Sequence, residues 1–100
     1  MAHVPEAPLL HDAEIAASLA ELRGWERRGQ AIAKTFHLSD FAGALAFVNR
    51  IAEPAEQQNH HPDVTIHWNQ VTLSLWTHAS GGLTERDFRL ARTIDEMTED

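Results

Sequence analysis

Apolar residues recur along the chain at two spacings, which together predict three helices and four strands. In the first segment Ile15, Leu19 and Leu22 recur at the spacing of one helical face. Asp12 precedes them as a candidate N-cap, and Gly24 follows as a residue that readily ends a helix. A first helix is therefore predicted between these two positions.

A first hairpin is predicted after this helix. Residues 25–28 and 31–38 form its two strands, and Gly29-Gln30 between them suits a turn. The second strand has apolar residues alternating on one face, namely Ile32, Phe36 and Leu38. This period of two is typical of a half-buried strand.

A second helix is predicted from Ser39, its candidate N-cap. Its apolar stripe comprises Phe41, Leu45, Val48 and Ala52, widened by Ala44, Phe47 and Ile51. Pro54 follows near the end of the stripe. Because proline lacks an N–H and crowds the preceding turn, it predicts a kink or a new short turn there.

A second hairpin is predicted over residues 64–77, with Asn69-Gln70 as its turn. The residues that alternate along its two strands are Val64, Ile66, Trp68, Val71, Leu73 and Leu75. Trp76 falls on the opposite face of the return strand. An exposed tryptophan on that face would favour contact with a second subunit.

A third helix is predicted from Thr84, after Gly81-Gly82 breaks the strand. Its apolar positions are Phe88, Leu90, Ala91, Ile94 and Met97. The resulting order, α-β-β-α-β-β-α, predicts an α+β fold with a four-stranded antiparallel sheet and three helices packed on one face. Residues 1–9, which contain two prolines, are predicted to be a disordered lead, and residues 10–100 a single domain.

Charge and composition exclude several classes of function. The net charge of −7 argues against direct binding to nucleic acid or to an anionic membrane surface, because both require a basic face. The chain has no cysteine, and it has neither a secretory signal nor an apolar run long enough to span a membrane. A cytoplasmic location is therefore expected.

Three of the seven histidines are predicted to converge. His61 precedes Pro62, and a residue before proline avoids helical backbone, so the second helix ends by His60 or His61. If the second hairpin is antiparallel, the end of its return strand at His78 lies beside the start of its first strand. Asp87, in the first turn of the last helix, could reach the same place.

Histidine suits proton transfer at neutral pH because its unperturbed pKa is about 6.5. Two imidazoles can hold complementary protonation states, so that one donates a proton while the other accepts one. A nearby carboxylate can orient an imidazole. The residues alone therefore indicate a pocket for proton transfer or ligand binding, without naming the ligand.

Simpler explanations exist for each of these residues. Adjacent histidines in a turn are commonly solvated, and Asp87 fits a capping box that begins at Thr84. Trp68 and Trp76 suit packing, and Glu56 at a helix end suits solvent. The three imidazoles could also bind zinc, although adjacent residues seldom bind one ion well.

The segment Glu56-Gln57-Gln58-Asn59-His60-His61-Pro62, followed by Trp68, His78 and Asp87, resembles the signature of the pterin-4a-carbinolamine dehydratase family. The resemblance extends from about Leu10 to Met97. It implies the same fold, a homodimer or homotetramer, and conversion of a 4a-hydroxytetrahydropterin to a quinonoid dihydropterin and water. That chemistry requires no metal and no cofactor.

The resemblance also implies roles for individual residues. His60 and His78 would donate and accept protons, and His61 would act as a base and contact the substrate. The supporting or substrate-binding residues would be Glu56, Trp68, Arg86 and Asp87. An alternative is that the chain is a member of the same fold that binds a pterin or a protein partner without catalysis.

Overall fold

The predicted α+β fold is confirmed in a computed structural model that describes residues 7–98. The helices are α1 (Asp12–Ala20), α2 (Phe41–Gln57) and α3 (Glu85–Thr98). The strands are β1 (Glu26–Arg28), β2 (Ala31–His37), β3 (Asp63–His67) and β4 (Gln70–Leu75), and a single 3₁₀ turn spans His78–Ser80. The element order is the predicted one.

The four strands form one antiparallel sheet in the order β1-β2-β4-β3. Within its central pair, Ile32 lies opposite Leu75 and Phe36 opposite Val71. The three helices cover the face that carries these residues. The buried core comprises Ile15 of α1, Phe47 and Ile51 of α2, Phe88, Leu90 and Ile94 of α3, and Ile32, Val71, Leu73 and Leu75 of the sheet. Burying each larger side chain stabilises the fold by about 1.5–3 kcal/mol.

Helix α1 begins and ends earlier than predicted. His11, not Asp12, is the N-cap, and its backbone N–H donates to the Glu14 carboxylate at 2.8 Å. A side chain in the first turn of the helix thus provides an acceptor for the backbone N–H of the capping residue. The helix ends at Ala20, before it reaches Gly24.

The start of α2 is also shifted, from Ser39 to Asp40. The Asp40 carboxylate accepts a hydrogen bond from the backbone N–H of Gly43 at 2.7 Å, which is the N-cap interaction. Helix α2 then continues through Pro54, which is buried, to Gln57, so no new turn begins at the proline. Glu56 therefore remains in the last turn of α2.

The turn of the second hairpin consists of Trp68-Asn69 instead of Asn69-Gln70, because β3 ends at His67 and β4 begins at Gln70. Asn69 stabilises this turn, since its side-chain amide donates to the Leu38 carbonyl at 3.0 Å. Trp68 lies at the tip of the hairpin and is 68% exposed. It therefore does not pack into the core.

Part of the predicted disordered lead, residues 1–6, lies outside the described residues. Residues 7–9 have no regular secondary structure, but the Ser80 hydroxyl donates to the Ala7 carbonyl at 2.6 Å. The N–H of Leu10 donates to the Leu83 carbonyl at 3.0 Å. Among residues 7–98, no helix combines the length and apolar character needed to cross a membrane.

Candidate active site

The C-terminal end of α2 fixes the backbone of the adjacent histidines. Asn59 adopts a left-handed conformation, with φ of 48°, which asparagine tolerates better than most residues. The N–H of His60 donates to the Ala55 carbonyl at 3.0 Å, and the N–H of Asn59 donates to the Glu56 carbonyl at 3.2 Å. This pair of bonds is a Schellman motif. The chain therefore turns sharply at His60 before β3 begins.

Arg86 of α3 ties this corner to the last helix. Its guanidinium donates to the Asn59 carbonyl at 2.6 Å. A bond to a charged donor is stronger than a bond between neutral groups. The bond links the end of α2 to the start of α3 beside the histidines.

His78 is placed by a turn and not by a strand. Strand β4 ends at Leu75, and Thr77 then forms an isolated bridge with Gly82. His78 begins the 3₁₀ turn, and its ring packs on the Trp76 ring with centroids 3.9 Å apart and planes tilted by 31°. Trp76 is half-buried by this packing, so it is less exposed than predicted.

The three predicted histidines line one cavity of about 340 Å³. This volume lies at the lower end of the range typical of small-ligand sites, which is about 300–1,000 Å³. The lining residues are Asn59, His60, His61, Pro62, Asp63, Thr77, His78, Ala79 and Arg86. The end of α2, the start of β3, the His78 turn and the start of α3 thus meet around this space.

A buried carboxylate holds the His60 ring. The Nε2 atom of His60 lies 2.6 Å from Oδ1 of Asp87, and Asp87 is completely buried. The other oxygen, Oδ2, accepts bonds from the Thr84 N–H and the Thr77 hydroxyl, each at 2.9 Å. Asp87 therefore does not line the cavity itself and is connected to it through His60 and Thr77, which both line it.

The donor groups of its partners determine the direction of the hydrogen bonds around Asp87. The Thr77 hydroxyl donates to Asp87, so at the 2.7 Å contact between the two threonine hydroxyls the donor is Thr84. A carboxylate that already accepts two bonds completes its set by accepting a third, from Nε2–H of His60. In the described part of the chain Nδ1 of His60 has no partner, so it is the nitrogen free to accept a proton.

His61 pairs with Glu56 in a more open setting. Its Nε2 atom lies 2.5 Å from the Glu56 carboxylate, and the two side chains are 56% and 74% exposed. Exposed ion pairs contribute little to stability, typically below about 1 kcal/mol. Glu56 does not line the cavity, so it acts on the site only through His61.

Trp68 is not brought to this cavity. The cavity lies at the Asp63 end of the hairpin, and Trp68 lies in the turn at the opposite end, beyond His67. At about 3.3 Å per residue the two ends are roughly 15 Å apart. Within a single chain, Trp68 therefore does not contact the cavity, although the resemblance implies a supporting or substrate-binding role for it.

Sequence reasoning missed two residues that support the site, Thr77 and Asn59. Thr77 is 2% exposed and continues the alternation of buried Val71, Leu73 and Leu75, so the pattern predicted its burial but not the bond from its hydroxyl to Asp87. Asn59 carried a usable signal, since an asparagine between a helix and a His-His-Pro corner suits a left-handed helix end. Thr84 was expected only as a helix cap.

A metal site and a second cleft are the alternatives to this cavity. Within residues 7–98, no group of three or more His, Asp or Glu side chains is arranged to hold a metal ion. A larger cleft of about 690 Å³ lies between residues 21–23, which follow α1, and β2 and α3, and no histidine is among its lining residues. Lys34 and Asp95 in this cleft pair with each other at 3.1 Å.

Replacing Arg86 with methionine is expected to lower the free energy of unfolding by about 1–2 kcal/mol, because the Asn59 carbonyl loses its charged donor. Urea unfolding measures this change. The matched control is Arg89→Met, an exposed position on the same helix, where a change below about 0.5 kcal/mol is expected. Equal unfolding midpoints for the two variants would contradict the role of Arg86.

The sequence of this chain is similar to those of known proteins. The family model for pterin 4 alpha carbinolamine dehydratase matches residues 8–97. A protein of Thermomicrobium roseum is 53% identical over 88% of this chain and 95% of its own length. One of Roseiflexus castenholzii is 55% identical over 91% of this chain and 98% of its own. Both carry the name pterin-4-alpha-carbinolamine dehydratase as a provisional assignment.

Two solved structures share the fold. A transcriptional coactivator/pterin dehydratase from Brucella melitensis superposes with a TM-score of 0.83, at 33% identity over 88% of this chain and 96% of that one. A pterin dehydratase-like protein, a RuBisCO assembly factor in the alpha-carboxysome, superposes with a TM-score of 0.64 at 21% identity, over 78% of this chain and 93% of that one. The second likeness concerns the fold alone. By its sequence and its fold, this chain belongs to the pterin-4a-carbinolamine dehydratase family.

Proposed function

We propose that this chain catalyses the dehydration of a 4a-hydroxytetrahydropterin to a quinonoid dihydropterin and water. The observation that carries the proposal is the convergence of His60, His61 and His78 on one cavity, with His60 held by a buried carboxylate. Membership of the family supports the substrate class. The resemblance also implies a homo-oligomer, so a light-scattering mass of two or four chains is expected.

The reaction needs one proton donor and one proton acceptor. The hydroxyl on C4a takes a proton and leaves as water, while the N5 lone pair forms the C4a=N5 double bond. The proton on N5 then passes to a base, so the atoms and charges balance and no electrons are exchanged with a cofactor. A positioned acid or base typically contributes about 10²- to 10⁴-fold to such a step.

His60 is suited to accept the N5 proton. Its Nε2–H donates to the Asp87 carboxylate, so the lone pair on Nδ1 is available and the carboxylate can stabilise the imidazolium that forms. The same division of labour between a carboxylate and the two ring nitrogens is known from serine proteases.

His78 is suited to protonate the leaving oxygen. Its ring is exposed, so it can regain a proton from solvent after each turnover. The face of Trp76, with its ring centroid 3.9 Å away, can stabilise a cationic imidazole. His61, oriented by Glu56, contacts the substrate and is a second base.

A stopped-flow assay with chemically generated 4a-hydroxytetrahydropterin tests the proposal. Quinonoid product is expected to form faster with the protein than in buffer, and EDTA treatment is expected to leave that rate unchanged, because imidazoles supply the acid and the base. If the protein binds a pterin but the rate equals that in buffer, the dehydratase proposal fails and the non-catalytic alternative is favoured.

A further inference from the structure

The backbone of Thr77 forms the base of the turn that carries His78. Its N–H donates to the Gly82 carbonyl at 2.9 Å. Its carbonyl accepts bonds from the N–H groups of Ser80 at 3.1 Å and Gly81 at 2.9 Å. The position of His78 relative to the sheet therefore depends on Thr77.

The side chain of the same residue holds the carboxylate behind His60. The Thr77 hydroxyl donates to Asp87 Oδ2 at 2.9 Å and accepts from the Thr84 hydroxyl at 2.7 Å. The Thr84 hydroxyl in turn accepts from the Arg86 N–H at 3.2 Å. A continuous chain of donors thus runs from the backbone of α3 to Asp87, and Thr77 is its last link.

The hydrogen bond from Thr77 to Asp87 lies in a buried environment. Thr77 is 2% exposed and both Thr84 and Asp87 are 0% exposed, so water cannot readily replace a missing hydroxyl donor. Without that donor, Oδ2 keeps only the Thr84 N–H, and the carboxylate is free to turn about its side-chain bonds. His60 would then lose the fixed acceptor that keeps its proton on Nε2.

We propose that Thr77 is a positioning residue that sets His60 through its hydroxyl and His78 through its backbone, so that one residue fixes the spacing of the two proposed acid–base groups. The kinetic part of this inference rests on the proposed dehydratase function. The structural part, the control of the His60 tautomer, does not depend on catalysis.

The kinetic test compares Thr77→Val, which removes the hydroxyl but keeps the branched shape, with Thr77→Ser, which keeps the hydroxyl. Thr77→Val is expected to lower kcat by about tenfold or more and to change KM by less than about twofold, because the hydroxyl that it removes is engaged by Asp87 and Thr84 and its loss disturbs alignment, although Thr77 lines the cavity. Thr77→Ser is expected to retain most of kcat.

Thr72→Val is the matched control. Thr72 lies in β4, before Thr77 in the chain, and its hydroxyl is 2.8 Å from that of Thr35 on the face away from the helices. The Thr72→Val variant therefore loses a similar hydrogen bond between two threonines, far from the cavity, and its kcat is expected to equal that of the wild type. Equal kcat losses in Thr72→Val and Thr77→Val would mean that both act through general destabilisation, which would overturn the proposal.

Ring ¹⁵N NMR of His60 tests the structural part without substrate. The wild type and Thr77→Ser are expected to show a protonated Nε2 and an unprotonated Nδ1 at a pH where the ring is neutral, and Thr77→Val a mixture of tautomers. If the valine variant does not fold, Thr77→Ala removes the same hydroxyl without placing a methyl group against Asp87. Unchanged His60 signals in a folded variant without the hydroxyl would overturn the proposal. If the wild type itself lacks dehydratase activity, the proposed function fails, and the NMR result alone decides the role of Thr77.

Discussion

Replacing His60 with alanine is expected to lower kcat for pterin dehydration by about 10²- to 10⁴-fold, the usual contribution of a positioned acid or base. His60 is 7% exposed, and its Nδ1 is the nitrogen without a partner in the described part of the chain, so the substitution removes the proposed acceptor of the N5 proton. The kcat of His78→Ala is expected to be lowered by a factor in the same range. Stopped-flow kinetics on the purified variants measures both effects.

Two controls separate catalysis from folding. His67→Ala removes an exposed histidine of β3 and is expected to leave kcat unchanged. Circular dichroism and urea unfolding show whether each variant is folded. The double variant His60→Ala, His78→Ala is expected to lose less than the product of the two single losses, because acid and base act in one step. A folded double variant with wild-type kcat would refute acid–base catalysis by these rings.

Asp87→Asn is expected to lower kcat by up to about 10⁴-fold while preserving the shape of the side chain. The Thr84 N–H and Thr77 hydroxyl both donate to Oδ2, so the asparagine places its carbonyl oxygen there and its NH₂ group toward His60. That NH₂ group requires Nε2 of His60 as an acceptor, which moves the ring proton to Nδ1. The nitrogen proposed to accept a proton is then already protonated.

Asp95→Asn provides the matched control for this variant. Asp95 lies on the same helix and accepts bonds from Trp25 Nε1 at 2.9 Å and Lys34 Nζ at 3.1 Å, at the larger cleft. Both variants are expected to lose about 1–3 kcal/mol of stability, since each weakens hydrogen bonds to a carboxylate. Only Asp87→Asn is expected to lose kcat, and retention of kcat in that variant would contradict the assigned tautomer of His60.

The parts of the fold that were predictable are those set by local pattern. Alternation along β4 correctly placed Val71, Leu73 and Leu75 in the core, because side chains on a strand alternate between its faces. Pro62 correctly predicted that the helix ends before β3, since proline restricts the residue that precedes it. These signals depend on neighbouring residues only, so they can be read without knowing the fold.

The parts that were not predictable depend on contacts between distant segments. His60 and Asp87 are 27 positions apart, and their bond forms only when α2 and α3 are both in place. The sequence suggested both a local capping role for Asp87 and a place near the histidines, but it did not reveal that the partner of Asp87 is Nε2 of His60. Alternation extends the buried positions of β4 to Thr77, but it does not reveal that the Thr77 hydroxyl donates to Asp87.

A crystal structure with a bound dihydropterin product analogue tests the central claim most directly. The bicyclic ring is expected in the cavity of about 340 Å³, within hydrogen-bonding distance of the rings of His60, His61 and His78. Density for the pterin in the larger cleft between residues 21–23, β2 and α3, with the histidine cavity empty, would contradict the assignment of the active site.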